Sequence, residues 1–273
     1  MKKQVYGNLT GLRNIQIKRI ENLYSGKTAP EYIISPEIAA ELVRISHDIR
    51  RQVGLLVDRN GRIICVISGE PHRIVIPVTP DHMAIPGRLK GLRCVHTHLQ
   101  DEPLTHDDLT DLALLRLDFI TAICVTKEGR PGPVYSGHVL PDETHAPYQV
   151  LPAATISDLN IDCLSRIMAL ETELSRKNAL HKPETGRENA FLINAVTQDP
   201  REAAASMDEL KELCKTSRIS VIGTAVQRRK QIDPKFVVGK GKLSSLVIKA
   251  IQNHATLLVF DRELSPSQIR SIT

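Results

Sequence analysis

The sequence has no tryptophan, an aromatic share of 3% and no long apolar run. A helix that spans a bilayer needs roughly 20 apolar residues in succession, so no membrane-spanning segment is predicted. The segment 1–24 contains several charged residues and lacks the apolar stretch of a signal peptide. We therefore expect a cytoplasmic protein without a membrane partner, and its cores should be built from aliphatic side chains.

The five cysteines form no Cys-x-x-Cys pair, and their number is odd. This spacing argues against a disulfide framework and against a zinc site made of cysteines. Cys65, Cys94 and Cys124 each lie inside an apolar, strand-like run. There a thiol usually serves as a small buried hydrophobic group, so we predict no chemical role for these three residues.

The length of 273 residues exceeds that of a typical domain, which predicts two domains. The net charge of +5 is unevenly distributed. Residues 190–273 carry 13 Lys and Arg against 8 Asp and Glu, whereas the preceding residues carry 23 of each. A polyanionic partner should therefore meet the last third of the chain first.

The hydrophobic periodicity of residues 1–152 predicts a leading α/β domain with a mixed sheet. Asn60-Gly61 is a frequent two-residue turn, so residues 53–69 should form a β-hairpin. Residues 153–189 are predicted to be a connecting helix followed by a polar linker. Besides the hairpin, the predicted elements of the leading domain are helices at 12–24, 36–51 and 107–117, and strands at 72–77, 92–98 and 118–125.

Residues 190–273 alternate strands with helices, which predicts a small, mostly parallel βαβα domain. Two capping boxes, Ser206 with Glu209 and Ser265 with Gln268, mark helix starts, because the side chains at both ends can satisfy free backbone donors. The second of these helices would open at Pro266 and be cut short at Thr273. We therefore expect the chain to be a truncated piece of a longer protein.

Residues 227–273 carry several uncommon elements in a fixed order: Gln227, Asp233-Pro234, Val237-Val238, Gly-Lys-Gly-Lys at 239–242, and Phe-Asp-x-Glu-Leu-Ser-Pro-x-Gln at 260–268. This order resembles the N-terminal domain of the HflX family of ribosome-associated GTPases. The front two thirds resemble the extra leading domain of its long forms. The resemblance implies that a helical region and a GTP-binding domain follow, and that the whole protein binds the large ribosomal subunit.

A phosphate-binding loop of GTPases requires Gly-x4-Gly-Lys-Ser/Thr, and that string does not occur in this sequence. We therefore expect no catalytic residue and no GTPase activity in this chain alone; GTP and Mg²⁺ would bind to the absent domain.

Flexible glycines before a helix expose backbone donors, and neighbouring lysines add positive charge, so the Gly-Lys-Gly-Lys segment is predicted to contact RNA phosphate. The alternative is a surface turn with solvated lysines. Asp261 and Glu263 are expected to hold a strand-to-helix turn. The expected partner is the large ribosomal subunit and its RNA, not DNA. The predicted contact residues are Arg228, Arg229, Lys230, Lys235, Gly239, Lys240, Gly241 and Lys242.

His96-Thr97-His98 ends a predicted strand, and Thr105 to Asp108 precede a predicted helix. This arrangement resembles the JAMM metalloproteases and their RadC-like relatives, which implies a zinc ion held by His96, His98 and Asp108. Alternate residues of a strand point to the same side, so the two imidazoles can converge. A zinc-dependent isopeptidase is therefore the alternative function.

The leading domain departs from the JAMM pattern at two informative positions. Leu99 replaces the proline that follows the second histidine, and Arg51 occupies the position of the glutamate that acts as general base. A guanidinium group cannot accept a proton at neutral pH. Glu41 could take that role only under a different alignment. Two further interpretations stay open: hydrogen-bonded histidines without metal, and a regulatory module. The oligomeric state is not predicted.

Overall fold

The computed structural model describes residues 4–77, 88–140, 148–158, 162–180, 188–196, 200–229, 231–253 and 255–272. The described residues up to 180 form one compact unit, and those from 188 onward form a second. Each unit has its own sheet, one mixed and one parallel, which confirms the predicted α/β class. Among the described residues, no helix combines the length and the apolar character that crossing a bilayer requires.

Seven strands form the sheet of the leading unit: β1 (Val5–Gly7), β2 (Val53–Asp58), β3 (Ile63–Ser68), β4 (Leu92–His98), β5 (Phe119–Val125), β6 (Pro131–Val139) and β7 (Tyr148–Val150). Their order is β1-β3-β2-β4-β5-β6-β7. β4 and β5 pair in parallel, whereas β2 pairs antiparallel with both β3 and β4. The β2–β3 pair is the predicted hairpin, and Gly61 in its turn has φ 77°.

Within the described part of the leading unit there are four α-helices: α1 (Asn14–Asn22), α2 (Pro36–Ile49), α3 (His106–Leu114) and α4 (Cys163–Leu180). α2 packs against β2, β4 and β5, and α3 packs against β5 and β6. Every residue of β4 and of β5 is buried, because these two strands lie near the middle of the sheet and helices cover them. The candidate metal ligands on β4 therefore lie on a fully buried strand.

Helix α4, which the sequence predicts as part of a connector, packs on the leading unit. Arg59 donates to Glu171 of α4 at 2.9 Å and to the buried carboxylate of Asp118 at 2.8 Å. Cys163 and Ile167 on the same helix are buried. The predicted helix is therefore present, and residues 163–180 belong to the same compact unit as the leading sheet.

The strand predicted at 72–77 is wrong, because the structure has no strand there. The alternation behind that prediction is present: Ile74 and Ile76 are buried and Val75 is 61% exposed. However, the position beside β3 is taken by β1, which pairs with it in parallel. The segment therefore has no pairing partner. The sequence analysis also missed β1, β6 and β7.

The second unit contains β8 (Asn189–Val196), β9 (Ser220–Arg228) and β10 (Leu257–Phe260), with helices α5 (Pro200–Thr216), α6 (Lys240–Gln252) and α7 (Pro266–Ile272). The strands are parallel, in the order β10-β8-β9. Successive residues of β8 face opposite sides: Leu192 packs with Met207 of α5, while Ile193 packs with Leu246 of α6. The predicted alternation of strands and helices is confirmed.

One of the two predicted capping boxes is present. The side chain of Gln268 accepts from the backbone N–H of Ser265 at 2.9 Å, and the backbone N–H of Gln268 donates to the hydroxyl of Ser265 at 3.3 Å. This box therefore caps α7. The box predicted at Ser206 is wrong, because α5 already begins at Pro200. Proline is favoured in the first turn of a helix, where its missing N–H costs little.

Candidate functional site

The three predicted metal ligands of the leading unit lie together. His96 and His98 share one face of β4, and Thr97 on the opposite face donates to Ser46 of α2 at 2.7 Å. The two Nε2 atoms are 3.0 Å apart. Asp108, in the first turn of α3, places its carboxylate oxygens 3.2 Å from Nε2 of His96 and 3.4 Å from Nε2 of His98. All three side chains are buried, with exposures between 0% and 9%.

Neighbouring groups fix the orientation of these ligands. Nδ1 of His98 lies 2.9 Å from the carbonyl oxygen of Glu102. Since a carbonyl only accepts, Nδ1 must donate, which leaves Nε2 of a neutral His98 with a lone pair facing the cluster. The backbone N–H and the hydroxyl of Thr105 each donate to Oδ2 of Asp108 at 2.7 Å. The same contacts cap α3, so the cap and the ligand position depend on each other.

The groups around Asp108 favour the ionised form of its carboxylate. Burial raises the pKa of Asp108, but His96, His98 and Thr105 together outweigh this effect and hold the pKa well below its usual range. Burial also lowers the pKa of His98, but the hydrogen bonds to Asp108 and to the Glu102 carbonyl, with the negative charges of both residues, together outweigh it, so the net direction is upward. The carboxylate of Asp108 is therefore available as an oxygen ligand. In the absence of an ion, a proton on His98 would compensate the negative charge of this carboxylate.

The spacing of the three groups fits a metal ion. In tetrahedral zinc sites with bonds of about 2.0 to 2.1 Å, ligand atoms lie roughly 3.3 Å from one another. The observed separations of 3.0, 3.2 and 3.4 Å are close to that value. Among the described residues, this is the one group of His, Cys, Asp or Glu whose ligand atoms converge in this way. Nδ1 of His96 is buried without a hydrogen-bond partner in that part of the chain.

The structure places no general base beside the cluster at the positions that the JAMM pattern suggests. Arg51 donates to the backbone carbonyls of Asn8 and Thr10, at 2.8 and 2.6 Å, and so anchors the segment after β1. Glu41 lies on α2 in ion pairs with Arg19 and Arg44, at 2.8 and 3.0 Å. The cluster can hold a cation, but neither residue is available to take a proton from bound water.

The predicted phosphate contacts of the second unit fall into two groups. Arg228, Lys235, Gly241 and Lys242 are exposed, at the end of β9, in the following loop and at the start of α6. Arg229 and Gly239 are half-buried. Lys230 lies outside the described residues, as does the side chain of Lys240, whose backbone opens α6. The structure thus brings the exposed cations to one loop and one helix start.

The loop from 231 to 239 has an uncommon backbone conformation. Asp233 and Val237 exchange two backbone hydrogen bonds, at 3.0 and 3.1 Å. Val237 has φ 63° and Gly239 has φ 89°. A positive φ is rare for a β-branched residue and costs on the order of 1 to 3 kcal/mol. Val237 and Val238 are both buried in the core beside α6, which offsets this cost.

The other residues of the 227–273 motif hold this unit together. The carboxylate of Asp261 accepts from Asn194 at 2.6 Å and from Ser206 at 2.5 Å, which joins β10, β8 and α5. The carboxylate of Asp233 accepts from the N–H groups of Phe236 and Lys235, and these bonds lower its pKa. Local sequence signals do not predict the contacts of Asn194 and Ser206, because their partner lies more than 50 residues away.

Comparisons with known proteins concern this second unit. Residues 204–273 match the family described as GTP-binding GTPase N-terminal. The chain is 36% identical over 85 residues to the GTPase HflX of Lacrimispora saccharolytica, covering 31% of this chain and 20% of that protein. It is 35% identical over 86 residues to the GTPase HflX of Alkalihalophilus pseudofirmus, covering 31% and 20%. For the GTPase HflX of Akkermansia muciniphila the identity is 37% over 92 residues, covering 33% and 21%.

The matched part spans about a fifth of the length of these relatives. It contains the loop of 231–239, helix α6 and the capping box of α7. The family predicted from the motif at 227–273 and the family found by comparison agree. The last third of this chain is therefore similar to the N-terminal domain of the HflX GTPases.

Proposed function

We propose that the second unit binds the RNA of the large ribosomal subunit, as the N-terminal module of a cytoplasmic HflX-type GTP-binding protein. The observation that carries this proposal is that three exposed cations lie along one stretch of chain that leads into α6: Arg228 at the end of β9, Lys235 in the following loop and Lys242 in the first turn of the helix. The helix dipole and the free N–H groups of a helix start favour a phosphate there, and lysine and arginine side chains add charge. GTP and Mg²⁺ would bind outside these residues, since no phosphate-binding loop motif occurs among them.

The salt dependence of binding to purified large ribosomal subunits tests this proposal. Each phosphate contact contributes about 0.9 to the slope of log K against log salt for a duplex. We expect the triple variant Arg228→Gln, Lys235→Gln, Lys242→Gln to bind more weakly and to lower this slope by roughly 2 to 3. A matched control removes three exposed lysines elsewhere in the same unit: Lys211→Gln, Lys215→Gln, Lys249→Gln.

Two results would contradict the proposal. The unchanged chain could fail to bind large subunits at low ionic strength, which would remove the RNA-binding function. Alternatively, the control variant could lower the slope as much as the loop variant, which would mean that net charge drives the association and that the loop has no special part in it.

As a second candidate function, we propose that the leading unit binds a zinc ion through His96, His98 and Asp108. The observation in its favour is the convergence of three buried side chains: the two Nε2 atoms are 3.0 Å apart, and each lies 3.2 or 3.4 Å from an oxygen of Asp108. Zinc would supply a Lewis acid at this position. An isopeptidase reaction would also require a group that accepts a proton, and neither Arg51 nor Glu41 is placed for it.

Elemental analysis of the purified chain at neutral pH tests the zinc proposal. We expect about one zinc ion per chain after dialysis against metal-free buffer, because two imidazoles and a buried carboxylate form a typical zinc ligand set. A clearly substoichiometric content after growth in zinc-supplemented medium would remove the proposal. Turnover of an isopeptide-linked substrate by the zinc-loaded chain would instead favour the hydrolase interpretation.

A further inference from the structure

Arg229 belongs to the cationic segment by sequence, but its side chain is engaged with the loop itself. Its guanidinium donates through Nη1 to the backbone carbonyl of Val238, and its backbone N–H donates to the carbonyl of Val196 at the end of β8. A methyl group on Gly239 would lie 2.3 Å from the same Nη1. Arg229 therefore fills the space that the glycine leaves and ties the loop to the sheet.

Gln268 holds the same loop from the side of α7. Its side chain is 9% exposed and is used at both ends. Oε1 accepts from the backbone N–H of Ser265 at 2.9 Å, and Nε2 donates to the backbone carbonyl of Asp233 at 3.1 Å. Since Asp233 pairs with Val237, this bond connects the helix start to the centre of the loop.

These two anchors hold the part of the loop whose backbone conformation is least favourable. Val237 and Gly239 both have positive φ, at 63° and 89°. Val237 lies between the two contacted carbonyls, those of Asp233 and Val238, and Gly239 directly follows the second. The cations that reach solvent, Lys235 and Lys242, lie on either side of this stretch. The direction in which the lysines point thus depends on a backbone shape that Arg229 and Gln268 maintain.

We propose that Arg229 and Gln268 are positioning residues: they fix the loop that presents Lys235 and Lys242, and neither contacts phosphate. This inference rests on the proposed RNA binding of the second unit. It gives the half-buried Arg229 a different role from that of the exposed cations, although the sequence alone predicts that all of them contact phosphate.

The experiment measures binding of the chain to purified large ribosomal subunits over a range of salt concentrations for four variants. Lys242→Met removes an exposed charge and should lower the slope by about 0.9. Arg229→Met removes a charge of the same sign from the other side of the same loop. It should weaken binding about tenfold at every salt concentration and leave the slope unchanged, because the affinity is lost through the shape of the loop.

Gln268→Met should have the same effect as Arg229→Met, although it changes no charge, and Ser267→Ala on the same helix serves as its control. Hydrogen exchange provides a second measurement that needs no RNA: the amides of 237–243 should exchange faster in Arg229→Met and Gln268→Met, while those of β8 keep their protection. Lys242→Met should leave both sets of amides unchanged.

Three outcomes would overturn the inference. If Arg229→Met lowers the slope as much as Lys242→Met, Arg229 contacts phosphate. If Gln268→Met binds as the unchanged chain does, or if neither positioning variant alters exchange at 237–243, the anchors do not control the loop. If the unchanged chain does not bind large subunits at all, the proposed RNA binding is contradicted as well. The other two outcomes do not contradict the proposed RNA binding.

Discussion

The leading unit and the second unit present their candidate functional groups in opposite ways. In the leading unit, His96, His98 and Asp108 are buried, and one ligand atom from each lies within 4.8 Å of the others. In the second unit, Lys235 and Lys242 are exposed, and the unusual feature is the backbone between them. One unit offers a preformed set of side-chain ligands; the other offers a shaped loop that carries charge.

This contrast follows from where each group is attached. The two histidines lie on β4, whose neighbours β2 and β5 fix its register, and alternation along the strand brings the imidazoles to one side. The cations lie on a loop and a helix start, whose shape depends on Arg229 and Gln268. Binding to the leading unit should therefore be selective and nearly independent of salt, whereas binding to the second unit should be steeply salt-dependent.

Removal of one ligand should have the largest effect. We expect Asp108→Asn to weaken zinc binding at least about 100-fold, because the loss of a first ligand should exceed the effects seen for outer-shell groups. The asparagine oxygen can still accept from Thr105, so the cap of α3 should survive. Titration calorimetry with zinc gives the affinity. Asp107→Asn makes the same change one residue earlier and should have little effect; equal losses would mean that Asp108 is not a ligand.

The leading unit should be sensitive to substitutions of its ligand side chains. The second unit should instead be sensitive to substitutions that disturb the backbone of its loop. Gly239→Ala should lower the free energy of unfolding by roughly 1 to 3 kcal/mol, because φ is 89° and the new methyl group would meet Arg229. Gly241→Ala, inside α6, is the matched control and should be neutral or stabilise by up to about 1 kcal/mol. Hydrogen exchange of β8 amides follows this unit alone, and similar effects of the two substitutions would contradict the assigned loop conformation.

Local patterns of the sequence predict the parts of both units that depend on neighbours along the chain. The bounds of β4, the hairpin at Asn60-Gly61 and the convergence of the histidines follow from alternation and turn chemistry. The class of the second unit follows from its rhythm of strands and helices. These features are fixed within about ten residues, so one sequence is enough to predict them.

Contacts between distant segments could not be predicted. The segment 72–77 has the alternation of a strand, but β1 occupies the place beside β3. Ser206 has the spacing of a helix cap, yet it lies inside α5 and donates to Asp261. The bond from Gln268 to Asp233 spans 35 positions and leaves no local signal. In each case a tertiary partner, not the local propensity, decides the outcome.

The smallest predicted effect concerns what holds α4 to the leading unit. Arg59 holds the pKa of Glu171 below its ordinary value of 4.5. A depressed pKa means that the ion pair stabilises the fold above the unfolded pKa, and that this contribution disappears as the pH falls through the folded value. Glu171→Gln should therefore lower the free energy of unfolding at neutral pH, by about 0.5 to 1 kcal/mol for a partly exposed pair, and the difference should vanish towards pH ~3.

Urea unfolding followed by tyrosine fluorescence measures this effect in the leading unit alone, since all five tyrosines precede residue 150. Glu173→Gln changes an exposed glutamate of the same helix and should leave the free energy of unfolding unchanged at both pH values. If the difference caused by Glu171→Gln persists at low pH, packing of α4 and not the attraction to Arg59 holds the helix.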